Sequence, residues 1–330
     1  MLTFPRRHVY HIAERNCKLP IQPSPDPAAT RALLHSVARM HYESAMSQVD
    51  IAKRLGVSTA TVSRMLQRAR AEGIVRIEIP DLVAADELGD TLRQRLGLEA
   101  VAVVETPSVN ALAALAGPVG EILGRAGLSP GSVLAVGWGR AIRAILDAGL
   151  PQIPGVLIVP ATGGMQQHLP HFQVNEFVRL AAEQVGGVPH FIHAPYLPSL
   201  ATRSAFLADP AIAESVALWD RIDAALVGIG LPHAQNSPEA SAATPDEQAL
   251  VDAVGDVIRH YFDASGRLVD WEGEGRMIAA SPDQLRRIPL VIGAAIGVDK
   301  VDAILGAIRA GFVTALVTDV RTAGVLLTRT

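Results

Sequence analysis

From residue 99 onward, short apolar runs alternate with amphipathic helical stretches, and this rhythm constrains the chain more than any other feature. The runs at 100–104, 133–136, 156–160, 190–193, 224–228, 289–293 and 315–318 are largely apolar at successive positions, not at every second one. Strands of that kind need cover on both faces, as in a parallel sheet between helical layers. Helices are predicted between them at 112–126, 140–148, 172–185, 300–310 and 322–327. The alternation predicts a layered α/β domain with a parallel or mostly parallel sheet. Its ligand site should lie where loops leave the carboxyl ends of the strands.

The chain before this domain is organised differently. Residues 1–29 hold Arg6, Arg7 and His8 and then Pro20, Pro23, Pro25 and Pro27, a proline density that favours extended, solvated chain, so this leader is expected to be disordered. Three helices should follow. The first begins at residue 30, with Leu33, Leu34, Val37, Ala38 and Met40 as its apolar stripe. The second covers 47–55, with Val49, Ile51, Ala52 and Leu55 inward, and the third covers 58–71. An alternating strand is expected at 74–79, and a connecting or dimerising helix at 86–96. The expected domains are a leader at 1–29, a small all-α unit at 30–80, a linker at 81–98 and the α/β domain at 99–330.

The segment 48–67, QVDIAKRLGVSTATVSRMLQ, has what two crossed helices need. Ala52 is small at the closest approach, and Gly56 supplies a turn residue for which positive φ is cheap. Val57, Val62, Leu55, Met65 and Leu66 form a miniature core, and Ser58 is a good N-cap. Ser58, Thr59, Thr61, Ser63, Arg64, Gln67 and Arg68 then lie away from that core. A helix-turn-helix reads the major groove with short polar residues near the N-terminus of its second helix and long donors behind them. The pattern predicts a module for double-stranded operator DNA. Charge agrees: residues 30–80 carry eight Arg or Lys against four Asp or Glu, whereas residues 81–330 carry seventeen against twenty-seven. A basic module on an acidic body suits binding of phosphates by one end only.

Composition removes several alternatives. Apolar residues make up 49% and charged residues 19%, enough for a large buried core. No run approaches the ~18–20 apolar residues of a membrane span, and no apolar stretch near the start resembles a signal peptide. The single Cys17 cannot form an internal disulfide or a cysteine zinc site and fits a reducing compartment, so a cytoplasmic location is expected. His168, His171, His190 and His193 lie on different predicted elements without a carboxylate at ligand spacing, so no metal site and no cofactor are expected.

In the large domain, Gly137-Trp138-Gly139-Arg140 follows a strand and opens a helix. Its N–H groups suit an anion or hydroxyl, Arg140 adds a cation and Trp138 a flat wall for the C–H face of a sugar. Thr162-Gly163-Gly164 leaves the next strand similarly, and Gln173 and Asn175 start a helix read as facing the cleft. The phrases AVGWGRAI, VPATGG, HAPYLPS, ALVGIG, AVGDVIRHYFDASGRLV and IGAAIGVDKVDAILGAIRAGFVTALVTDVRTAGVLL follow the helix-turn-helix segment in order. Together, over about residues 31–328, they resemble the SorC family of bacterial sugar-responsive regulators. The resemblance implies an effector domain similar in fold to ribose-5-phosphate isomerase and glucosamine-6-phosphate deaminase. It implies a sugar, polyol or sugar-phosphate effector that alters operator affinity, and a homodimer or homotetramer, which suits palindromic operators. It also places Asp256 against ligand hydroxyls and Lys300 at a helix opening, facing a phosphate or hydroxyl. Members that capture an aldehyde covalently carry a lysine where this chain has Thr162, so Schiff-base chemistry is not expected. Members that bind phosphosugars often have small hydroxyl residues where this chain has Arg140-Ala141, which keeps an unphosphorylated polyol open.

Two rival functions fit the sequence less well. An isomerase-like enzyme would need an acid/base pair, and Asp256 has no evident partner in the sequence. A DNA-binding structural protein without an effector would have no use for Asp256, Arg140 and Lys300 converging with glycine loops.

Overall fold

The computed structural model describes residues 27–44, 46–75, 85–106, 110–165, 173–231 and 243–330. The chain divides into two compact units, Met1–Asp81 and Leu82–Thr330.

The first unit holds α1 (Pro27–Tyr42), α2 (Gln48–Leu55) and α3 (Thr59–Ala71). Helix α1 takes in residues 27–29, which were expected to belong to the leader. Proline is well placed in the first turn of a helix, where its missing N–H would have no intrahelical partner. Ser47 caps α2 through Asp50 N–H, and Ser58 caps α3 through Thr61 N–H. Gly56 takes φ 64° between them, as the turn requires. Val37, Ile51, Ala52, Val62 and Leu66 form the miniature core. Val49 is 49% exposed and Leu33 40%, so neither joins it. Val49 lies two residues from Ile51, about 200° around a helix of 3.6 residues per turn, and so faces away. Ile74 and Val75 pack beside Leu34, Ala38 and Ala69 without forming a strand, and 76–79 lie outside the described residues.

The second unit opens with α4 (Ala85–Leu96). Among the described residues it is built on seven parallel strands: β1 (Ala100–Val104), β2 (Val133–Val136), β3 (Leu157–Pro160), β4 (Val188–Pro189), β5 (Ala224–Gly228), β8 (Leu290–Ala294) and β9 (Ala315–Asp319). Their order in space is β1-β9-β8-β5-β2-β3-β4. Successive residues enter different cores. Val133, Ala135, Ala225 and Val227 pack with α4 and the helices Val301–Arg309 and Val320–Arg329. Leu134, Val136, Ala224 and Leu226 pack with the helices Ala116–Arg125, Arg140–Ala148 and Val174–Val185. Both faces are therefore covered, as continuous apolar strands demand. The expected strand at 190–193 is displaced to the two-residue β4. Val188 N–H and His190 N–H both donate to β3, to Val156 O (2.8 Å) and Ile158 O (2.7 Å), and Pro189 between them lies on the outermost strand of the sheet, where its missing donor faces the open edge.

One element lies off the main sheet and was not anticipated. Strands β6 (Gly255–Val257) and β7 (His260–Phe262) form an antiparallel hairpin whose two-residue loop is Ile258-Arg259.

Ile51 is fully buried at the centre of the first unit. Ile51→Ala should lower that unit's stability by about 2–5 kcal/mol. In calorimetry of the full chain, the loss should appear as a lowered transition for the small unit with the large-domain transition unmoved.

Candidate functional site

The site follows from strand order. After β2 the chain moves outward through β3 to β4, then returns to the other side of β2 as β5 and moves outward again through β8 to β9. The connections leaving β2 and β5 therefore part in opposite directions, and in an open α/β sheet ligands bind in the crevice opened by such a reversal.

Gly137-Trp138-Gly139 leaves β2 at this point. Gly137 donates its N–H to Leu226 O on β5 (2.8 Å), and a β-carbon on Gly137 would meet Val227 Cα at 3.4 Å and Ile258 Cγ2 at 3.5 Å. Gly139 takes φ 123°, and among the described residues no side chain caps the helix Arg140–Ala148 that follows. Arg140 is exposed and Trp138 half-buried. The loop after β5 lies opposite. Gly230 N–H donates to Asp256 O (2.8 Å), and a β-carbon on Gly230 would stand 1.9 Å from Asp256 Oδ1, so only glycine admits this carboxylate. Lys300 completes the group by donating its Nζ to Ile229 O (2.5 Å). The connection after β2, strand β6 and the helical turn Val298–Lys300 after β8 thus bring together Trp138, Arg140, Asp256 and Lys300.

The electrostatics favour a polar or anionic occupant. Burial holds the Lys300 ammonium below the usual lysine range, the Arg140 charge lowers it further, and Asp256 and Asp299 oppose the shift. A desolvated ammonium near a second cation gains from any hydroxyl oxygen or phosphate that reaches it.

The other expected residues have different surroundings. Thr162 is 1% exposed and donates to Ile278 O (3.3 Å). Gly163 N–H bonds Ile278 O and Gly164 N–H bonds Ala194 O, both at 2.8 Å. A β-carbon on Gly163 would lie 2.6 Å from Ala194 O, so this turn requires glycine for close backbone approach. Asn175 joins Ile192 from both ends of its amide, donating to Ile192 O (3.1 Å) and accepting from Ile192 N–H (3.2 Å). Gln173 is exposed at the start of its helix. Among the described residues no three metal-ligating side chains gather; His168 and His171 lie outside them. A recess of about 430 Å³ lined by Phe191, His193, Phe206 and Ile212 contains none of the expected site residues.

Behind the cleft lies a buried polar cluster that sequence reasoning missed. Glu247, in the short helix Pro245–Gln248, is completely buried and accepts from Tyr196 Oη (3.0 Å), Tyr261 Oη (2.7 Å) and Thr244 N–H (2.7 Å). Arg259 Nη1 lies 3.3 Å from Glu247 Oε1 and donates to Tyr261 Oη at 3.2 Å. Burial raises the Glu247 carboxyl, but the guanidinium and these hydrogen bonds outweigh it and hold the group below the usual range. Burial lifts both Tyr196 and Tyr261 well above the ordinary phenol range, so they stay neutral donors. The only sequence signal was the phrase VIRHYF, whose arginine has no business in a core unless a carboxylate meets it.

In the small unit, Ser58, Thr59, Arg64, Gln67 and Arg68 are exposed and Thr61 and Ser63 half-buried on α3. The Ser58 and Thr61 hydroxyls bond each other (2.8 Å), and Arg68 pairs with Glu72 (2.5 Å). Arg64 and Gln67 are the long exposed donors of this face.

Comparison with known proteins agrees with both units. Residues 81–328 match the Sugar-bind family of sugar-binding domains, and residues 30–84 match a Crp-like helix-turn-helix domain. The chain is 31% identical to the sorbitol operon regulator of Klebsiella pneumoniae over 89% of its own length and 97% of that protein. It is 28% identical to the erythritol catabolism regulatory protein EryD of Brucella abortus, over 91% and 97% of the two chains. The crystal structure of full-length SorC from Klebsiella pneumoniae superposes with a TM-score of 0.68 at 30% identity, covering 91% of this chain and 99% of that one.

Glu247 has a depressed pKa in the folded state, so its contribution is complete above the ordinary glutamate range, near 4.3, and is lost as pH falls through the lower folded value. Acid titration of the large domain should show stability falling below about pH 4. Glu247→Gln, which removes one of the two carboxylate charges acting on the buried Arg259, should cost up to about 3–5 kcal/mol at neutral pH and flatten that acid limb.

Proposed function

The chain belongs to the SorC family of sugar-responsive transcriptional regulators, and from that premise we propose that it binds its operator through α3 and a sugar, polyol or sugar phosphate in the β2–β5 crevice. Residues on α3 read the DNA. Arg64 and Gln67 meet base edges or phosphates in the major groove, with Thr59 and Ser63 nearer the helix N-terminus and Arg68 towards the backbone. Ser58 and Thr61 shape the helix start through their mutual bond, which leaves Ser58 well placed to approach phosphate.

In the large domain, Asp256 accepts from effector hydroxyls, Lys300 and Arg140 meet an oxygen-rich or phosphorylated end, and Trp138 walls the cleft. Gly137 and Gly139 keep the loop close to the bound molecule. Thr162, Gly163 and Gly164 hold the floor through their bonds to Ile278 and Ala194, while Gln173 and Asn175 border the cleft from the next helix. Relatives named for sorbitol operon control, erythritol catabolism and deoxyribonucleoside regulation support a carbohydrate-derived effector. The observation that carries this reading is the meeting of Trp138, Arg140, Asp256 and Lys300 at the reversal of strand order. The effector works by binding, without turnover, and alters operator affinity. The protein acts in the cytoplasm as a homodimer or homotetramer, the symmetric form a palindromic operator requires.

The test is a thermal-shift panel of sorbitol, erythritol, deoxyribose and their monophosphates, followed by anisotropy on DNA from upstream of the gene. A specific effector at about 100-fold excess over its Kd should stabilise the protein by about 2.7 kcal/mol and change operator affinity. Chemical conversion of a panel compound would contradict the regulator reading. Arg64→Ala or Gln67→Ala should weaken operator binding by about 1–3 kcal/mol at fixed salt, with effector binding retained. Unchanged DNA affinity would remove α3 from the interface.

A further inference from the structure

A two-residue hairpin loop of the favoured type places both central residues at positive φ, which is why Asn-Gly dominates such turns. The β6–β7 loop has Ile258 at φ 45° and Arg259 at φ 71° instead. Isoleucine is β-branched and strongly disfavoured there, and arginine gains nothing from the backbone. A chain keeps a strained turn of this kind where the surroundings over-determine it.

Arg259 has such surroundings. Its side chain is fully buried, and its guanidinium carbon sits 4.9 Å from the centroid of the Trp138 ring and 5.9 Å from that of Tyr196. The guanidinium reaches Glu247 and Tyr261, and the Arg259 backbone N–H donates to Asp256 Oδ2 at 2.9 Å. The same residue therefore stacks on the indole of the cleft and holds the carboxylate of the cleft. With no exposed surface, it cannot itself touch a bound molecule.

We propose that Arg259 is a positioning residue for effector recognition, setting Trp138 through its guanidinium and Asp256 through its turn, so that one buried cation fixes the spacing between the aromatic wall and the hydroxyl-binding carboxylate. This rests on the crevice being the effector site. Cation–π stacking is strong where the cation is desolvated, and the planar guanidinium can stack on Trp138 while bonding Glu247 and Tyr261 edge-on. Lysine, a point charge, cannot do both. The strained turn is then the condition for bringing backbone N–H and side chain of one residue to two different walls of the cleft.

The experiment compares wild type, Arg259→Gly and Arg259→Lys in the full chain. Glycine relieves the positive φ, and lysine retains the charge. The first readout needs no effector: tryptophan emission and acrylamide quenching, each corrected by subtracting the Trp138→Phe protein. Both variants should red-shift the Trp138 emission and at least double its quenching constant, with far-UV circular dichroism unchanged. The second readout is calorimetric titration with the compound of the sorbitol, erythritol and deoxyribose panel that stabilises wild type most. Affinity should fall at least tenfold in both variants, and operator affinity without that compound should stay within twofold. An unmoved Trp138 signal in a folded variant overturns the proposal, as does a moved signal with unchanged affinity. If Arg259→Gly does not fold, Arg259→Lys decides by the same two criteria. If no panel compound binds wild type, the effector reading has failed on its own terms, and the Trp138 signal alone then decides whether Arg259 positions that ring.

Discussion

Everything in the large domain depends on the reversal of direction between β2 and β5. Parallel strands covered on both faces leave no room for a ligand within the layers, so a site must form at the strand ends. The adjoining β2 and β5 loops depart to opposite sides, and at Gly230 the junction requires glycine: it admits the Asp256 carboxylate where a β-carbon would collide with it. The crevice is therefore a consequence of topology first and of side-chain chemistry second.

Chemistry then gives the crevice its character. Asp256 is held from its own hairpin, Lys300 comes from the loop after β8 and Arg140 from the helix after β2. Two cations and one carboxylate in a partly desolvated space suit a molecule rich in oxygen. Behind them the Glu247–Arg259 pair is fully enclosed, and such pairs hold only when hydrogen bonds complete both partners. Tyr196, Tyr261 and Thr244 supply those bonds to Glu247. Through Arg259 the cluster meets Trp138 and Asp256 at the point where the backbone turn is itself strained.

Much of this was legible in the sequence because it is written in local periodicity. Continuous apolar runs marked the strands, and Ser58 and Gly56 marked the ends of helices whose residues Ile51, Ala52 and Val62 are buried as a core pattern requires. The loops after β2 and β3 announced themselves through Gly137, Gly139, Gly163 and Gly164. The hairpin did not, because Ile258-Arg259 lacks every residue that normally signals such a turn. Nor did the polar cluster: Tyr196, Glu247 and Arg259 are distant in sequence and meet only through tertiary packing. Val49 was misplaced since an eight-residue helix offers too few turns for its apolar stripe to be assigned from spacing alone.

The central claim is that occupancy of the β2–β5 crevice governs DNA affinity in the separate helix-turn-helix unit. It is tested most directly by titrating operator-bound protein with an effector compound and comparing wild type with Asp256→Asn, operator affinity in the absence of that compound being measured for both. Equal starting affinities, with the response of the variant displaced to at least tenfold higher compound concentration, are the predicted result. A variant that responds at the same concentration as wild type would contradict the account, because the carboxylate at the heart of the crevice would then have no part in the response.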